Sequence, residues 1–273
     1  MFAGGGGGSN LVPLDGTLSL GDGVPRVLLY IAPPTIANPS ADNVTTTAAT
    51  LNAGVSAQGA DVSAAYFRFG TDQQSVNSDG GVLATATPGT ITVAAGATPV
   101  NASLTNLTPG ATYYFRAYAV NSGGTAQSSM QSFSTPKLTQ SIVWGASPIV
   151  SIGTSSTINA TGGTSGAPVV FGSSTPSTCL VSGNQVTGVA PGTNNCTLTA
   201  NQAGDASHLP APQATLTISV VAGVPSAPQN VSATPGDGSV RIVWTPPSSD
   251  GGSAITRYEV TANGAPTAVS YTH

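Results

Sequence analysis

Charge is what this sequence has least of: Asp, Glu, Lys and Arg make up 6% of its 273 residues. Lysine occurs once, as Lys137, and the net charge is −4, so no basic patch exists and nucleic acid is not an expected partner. No run of about 18 apolar residues occurs, and a membrane-spanning helix is therefore not expected. Of the two histidines, His208 stands in a polar loop and reads as solvated, since a zinc site needs three or four ligands. The two cysteines, Cys179 and Cys196, have no Lys, Arg or His beside them to stabilise a thiolate, which argues against thiol catalysis. Gly-x-Ser-x-Gly is missing, and no histidine–acid pair stands out for an activated serine. Most aspartates sit beside Gly, Ser or Asn, as in the two Ser-Asp-Gly-Gly stretches at 78–81 and 249–252, which is the habitat of turns rather than of a calcium loop. No catalytic residue, metal or cofactor is expected.

What remains is rich in Gly, Ser, Thr, Ala and Val, a composition suited to sheets covered by small polar side chains. Short stretches of alternating polarity recur between Gly, Pro and Asn turns, and nothing resembles the helical crossover of a parallel α/β fold. The clearest stretch starts behind Pro109-Gly110. One parity holds Tyr113, Phe115, Ala117 and Ala119, and the other holds Tyr114, Arg116, Tyr118 and Val120. A strand with one buried and one wetter face follows. Further strands are expected at 50–55, 62–69, 89–93, 100–104 and 127–134, with one more before Thr50. About seven short strands in about 100 residues predict a two-sheet antiparallel sandwich.

Leu107-x-Pro109-Gly110-x-x-Tyr113, followed by `AYAVN`, closely resembles the corresponding turn and strand of a fibronectin type III domain, here spanning 34–136. The resemblance implies a tyrosine corner at Tyr113, with its ring under the turn, its hydroxyl bonded to nearby backbone and Leu107 buried beside it. It also leaves Tyr114, Arg116 and Tyr118 on the outer sheet face. Cross-strand cover is the simpler reading of that trio, and a binding platform for a sugar ring or a protein surface is the sharper one.

Strands near 141–144, 155–160, 169–171, 185–189, 197–201 and 214–220 make up a second unit, 138–221. Its `VVFGSSTPSTC`, `VTGVAPG` and `CTLTANQAGDASHLPAP` segments resemble a bacterial immunoglobulin-like repeat. The resemblance implies that Cys179 and Cys196 pair, although Asn194-Asn195 lengthens the approach to the second cysteine. The third unit, 224–273, resembles the first half of another fibronectin type III domain. In it Val240, Ile242 and Trp244 are expected to face inward, Trp244 as the usual core tryptophan, and 255–260 should form the next strand. Residues 1–33 read as a glycine-rich segment with a possible strand at Val27–Ile31. No convincing signal peptide is visible there, and the chain reads as part of something larger.

All-β, tandem antiparallel sandwiches are thus expected. The resemblance implies a non-catalytic region of a bacterial extracellular or cell-surface protein, a spacer or an adhesion module with an unidentified protein or carbohydrate partner. The alternative is an accessory segment of a secreted polysaccharide-degrading enzyme whose catalytic domain lies outside this chain.

Overall fold

A computed structural model describes residues 31–94, 96–262 and 265–267. Two compact units meet between Leu138 and Thr139. In the first, strands β1 (Thr35–Asp42), β2 (Ala49–Ser56), β3 (Ala64–Gly70), β4 (Val82–Thr85), β5 (Thr98–Leu104), β6 (Thr112–Asn121), β7 (Gly124–Gln127) and β8 (Gln131–Ser134) are joined by one short helix, α1 (Gln73–Asn77). They form two antiparallel sheets, one ordered β1-β2-β5 and the other β4-β3-β6, with β7 and β8 both along the far side of β6. The two edge segments read as one strand interrupted at 128–130. This is a sandwich of the fibronectin type III and immunoglobulin-like kind.

Alternation builds the core. In β2 every odd residue from Ala49 to Val55 is buried, and in β6 so are Tyr113, Phe115, Ala117 and Ala119. These faces close on Phe67, Val100, Leu104 and Leu107. Phe67 and Phe115 are 6.5 Å apart between ring centroids at 55°, a tilted contact that favours ring edge on ring face. The strand expected at 89–93 is reduced to a single bridge between Val62 and Ile91, and the edge strand lies earlier, at β4. The possible strand at Val27–Ile31 falls, except for Ile31, outside the described residues.

The second unit contains β9 (Val143–Trp144), β10 (Val150–Ser151), β11 (Ser155–Thr157), β12 (Ala160–Thr161), β13 (Val169–Ser173), β14 (Cys179–Ser182), β15 (Gln185–Gly188), β16 (Gly192–Gln202) and β17 (Ala214–Val221). A sheet ordered β10-β17-β16-β13 faces one ordered β11-β15-β14, and Val150, Ile158, Val186, Leu198, Ile218 and Val220 fill the space between them. Cys179 of β14 and Cys196 of β16 form a buried disulfide across that core, with Cα atoms 5.6 Å apart. The lengthened approach to Cys196 is absorbed as a bulge rather than a longer turn. Register slips between Gly192 and Cys196, Asn194 takes φ of 51°, and the Asn195 side chain donates to Ala190 O and accepts from Val220 N. Asparagine tolerates the left-handed conformation, so the extra residues bend the strand without breaking it.

Beyond Val221, β18 (Gln229–Gly236) and β19 (Ser239–Thr245) pair as a hairpin, and β20 (Val260–Ala262) pairs with β21 (Ala265–Thr267). The strand expected at 255–260 does not form; 254–259 runs without a ladder partner, although Tyr258 still reaches Trp244 with ring centroids 5.3 Å apart. Ile242 and Trp244 are half-buried, and Val240 is 62% exposed. The expected inward face exists as a parity, with Ile242 and Trp244 half-buried between the exposed Arg241, Val243 and Thr245.

Candidate functional site

At the predicted tyrosine corner, Tyr113 lies 7% exposed between Phe69 and Phe133, and its hydroxyl accepts the Thr108 N–H at 2.9 Å. Gly110, at φ of 70°, makes the turn in the left-handed region, and its N–H donates to Pro136 O. Thr135 completes the corner, donating its hydroxyl to Thr108 O at 2.6 Å and accepting the Ala111 N–H at 3.0 Å. Leu107 is buried beneath, and Pro109 is half-buried at the turn.

The outer face of the same strand differs from expectation. Tyr118, expected on an open surface, is 4% exposed. Its ring stacks on Tyr66 at 5.1 Å with planes 2° apart, and its hydroxyl donates to Asp79 at 2.6 Å. Burial, with the carboxylate of Asp79 next in importance, pushes the phenol up to about 12. The cover is the loop carrying α1. Asp72 caps it by accepting the Gln74 N–H, and Val76 is fully buried against the sheet. Gly81 is required there: at φ of 84° a Cβ would stand 2.7 Å from Phe69 O. Alternation places Tyr118 on the outer face, but not what the 71–81 loop does once it folds back.

Arg68 and Arg116 are directly opposite on β3 and β6, a like-charge pairing that needs relief. Arg68 lies over the Tyr66 ring at 5.9 Å, and Arg116 donates to Asn77 at 2.6 Å. Arg116 Nε is buried without an acceptor, an unspent donor in this cover. Tyr114 and Arg116 are half-buried. Beside them, Asp72, Gln73, Gln74, Asn77 and Met130 border an open surface groove of about 520 Å³. The proposed platform is therefore tied to its own loop rather than presented as two tyrosines flanking an arginine.

A second constellation was missed from the sequence. His208 does not lie free in its loop: Nδ1 is 2.9 Å from Asp205 Oδ1, and Nε2 is 2.9 Å from Thr164 Oγ1. The His208 side chain is 13% exposed. Asp205 also accepts the backbone N–H groups of Ser207 and His208, at 2.7 and 2.6 Å. The hydrogen bond from His208, more than any other contact, holds this carboxyl below the usual range. Thr164 lies in the turn between β12 and β13, and two buried glutamines grip that turn. Gln202 Oε1 accepts the Gly163 N–H, and Gln140 Oε1 accepts the Ser165 N–H. The Asp205-x-x-His208 spacing was the only legible trace of the pair; Thr164 comes from 44 residues away.

Among the described residues, no group of three or more His, Cys, Asp or Glu is placed to hold a metal ion, and no helix is long and apolar enough to cross a membrane. No family model matches the chain, and no curated protein matches it. Solved structures do align. The sensor domain of the anti-sigma factor RsgI4 from Pseudobacteroides cellulosolvens is 24% identical over 40% of this chain and 99% of its own, with a TM-score of 0.30. The FN1–FN3 domains of chicken CNTN1 are 14% identical over 88% of this chain and 85% of theirs, with a TM-score of 0.29. A multi-domain stretch of titin is 17% identical over 83% of this chain and 79% of its own, with a TM-score of 0.30. The fold class rests on the sheet order itself.

Proposed function

We propose that the chain is a non-catalytic spacer region of a protein exposed outside the cytoplasm, its sandwiches providing length and resistance to unfolding rather than a ligand site. We assign it three modules, at 34–136, 138–221 and from 224 onward. The observation that carries this reading is the buried Cys179–Cys196 disulfide, which joins the two sheets of the second unit. Such bonds persist in oxidising compartments and are rare where thiols are kept reduced. The closed outer face of the first unit favours a spacer over a platform, because Tyr118 and Asp79 are already each other's partners.

Producing the chain with an added export signal in the periplasm, and without one in a reducing cytoplasm, tests the reading. The exported form should show no free thiol on denaturation and should resist protease across 34–221, with the reduced form cleaved faster. Equal resistance of both forms, or saturable binding of a glycan or protein that Tyr114→Ala and Arg116→Ala abolish, would replace the spacer with a cytoplasmic module or a receptor.

A further inference from the structure

Ser-Asp-Gly-Gly occurs twice in this chain, and its two copies are put to different uses. At 78–81 the tetrapeptide closes a loop onto its own sheet, with Gly81 against Phe69. At 249–252 it follows β19 and meets the second sandwich instead. Gly251 is buried there, although Ser249, Asp250 and Gly252 around it are exposed.

The cover over Gly251 is the chain that leaves β17. Ile152 donates its N–H to the oxygen of Val221, the last residue of β17, at 3.1 Å. Gly223 follows so close to the second sandwich that a Cβ there would stand 2.9 Å from Ile152 O. Its N–H then donates to Gly251 O at 2.7 Å, and the Ser226 N–H donates to Ser249 O at 2.9 Å. Ser226 Oγ accepts the Ser249 N–H at 3.1 Å, which ties the two segments in both directions. Inside the turn, Ser249 Oγ accepts the Gly251 N–H and Asp250 Oδ1 accepts the Gly252 N–H. The connecting segment 222–226 is thus gripped between the second sandwich and the turn.

Both glycines answer two demands at once. Their φ values of 72° and 82° lie in the left-handed region, which glycine adopts at no steric cost. A Cβ on Gly251 would also collide with Gly223 O and stand 3.1 Å from the Val224 carbonyl carbon. One on Gly252 would collide with Ile152 Cδ1 and lie 3.6 Å from Pro191 Cδ, both in the second sandwich. Gly238, in the β18–β19 turn, is the internal comparison. Its φ is 63°, but a Cβ there would meet nothing within 4 Å.

We propose that the 249–252 turn is a joint lock. It clamps the 222–226 linker and seats on Ile152, so the second sandwich and the β18–β19 hairpin move as one body. Modules joined by a short linker otherwise swing relative to one another. As a device the lock rests on the spacer reading, in which a fixed joint sets direction as well as length. The lock itself is measured without export, thiol state or force, so either idea can fail while the other stands.

NMR relaxation of backbone amides in the full chain gives a rotational correlation time for 139–221 and another for β18 and β19. In the wild type the two should agree. Gly251→Ala should separate them and speed hydrogen exchange at the Gly223 amide by on the order of tenfold or more. Gly238→Ala makes the same backbone demand without the collision and should leave the joint as it is. Gly252→Ala should loosen the joint, and adding Ile152→Val, which removes the colliding Cδ1, should tighten it again. Cross-strand contacts of the β18–β19 hairpin, followed in the same spectra, separate a loosened joint from an unfolded module. Unequal correlation times in the wild type overturn the proposal, as does a Gly251→Ala variant with a folded hairpin and an unchanged joint. A Gly252→Ala loosening that Ile152→Val leaves in place overturns the seat on Ile152.

Discussion

Replacing Tyr113 by Phe removes one oxygen and leaves the ring in place. The ring contacts with Phe69 and Phe133, at 6.3 and 5.5 Å between centroids, are unchanged, so no cavity term enters. What is lost is an acceptor 2.9 Å from the Thr108 N–H. Were that N–H fully buried, its desolvation would cost about 1–3 kcal/mol. Thr108 is an exposed residue and its bond is only part-buried, so water can recover part of the loss. The expected destabilisation is therefore about 1 kcal/mol, which lowers the melting temperature of a domain this size by roughly 4–8 °C. Tyr113→Ala, by contrast, should cost about 3–5 kcal/mol, because it also empties the ring's place in the core. Urea unfolding followed by circular dichroism measures both. A Phe variant as stable as the wild type would refute the corner as a stabilising bond, and a Phe variant as damaged as Ala would show that the hydroxyl, not the ring, holds the turn.

Three other outcomes are expected. Cys179→Ala with Cys196→Ala should lower the stability of the second unit by about 3 kcal/mol in denaturant unfolding, the value for closing a loop of this length. Tyr118 should ionise at about 12, so the stability it contributes is complete below the ordinary phenol range near pH 10 and is lost as pH rises towards 12; absorbance titration should show a late-ionising phenol that Tyr118→Phe removes. Limited proteolysis should start beyond Val221, since no hydrophobic side chain there is buried among the described residues and Val231 and Val240 are each 62% exposed, while 34–221 survives.

The parts of this structure legible in the sequence are those set by local alternation. The period-2 pattern of 113–119 fixes which rings enter the core, because a strand's two faces are determined residue by residue. The Pro109-Gly110 turn was readable for the same reason, since its φ requirement is local. What failed depends on contacts between segments. Tyr118 has the parity of an exposed residue, but the loop at 71–81 folds over it, and a five-residue helix capped by Asp72 leaves too short a pattern to read. His208 looked solitary because Thr164 arrives from another turn, brought there by buried Gln140 and Gln202. The strand expected at 255–260 had a suitable composition, but a strand needs a partner's hydrogen bonds, and none is present along 254–259.

A spacer is most directly tested by pulling on it. Single-molecule stretching of the oxidised chain should give a separate unfolding event for each of the first two sandwiches. The disulfide keeps the 17-residue span from Cys179 to Cys196 out of the extension apart from the 5.6 Å it bridges, so reduction should lengthen the second event by roughly 50–55 Å at about 3.3–3.6 Å per residue. An oxidised chain that extends at negligible force, or one whose extension is unchanged by reduction, would contradict a disulfide-braced spacer.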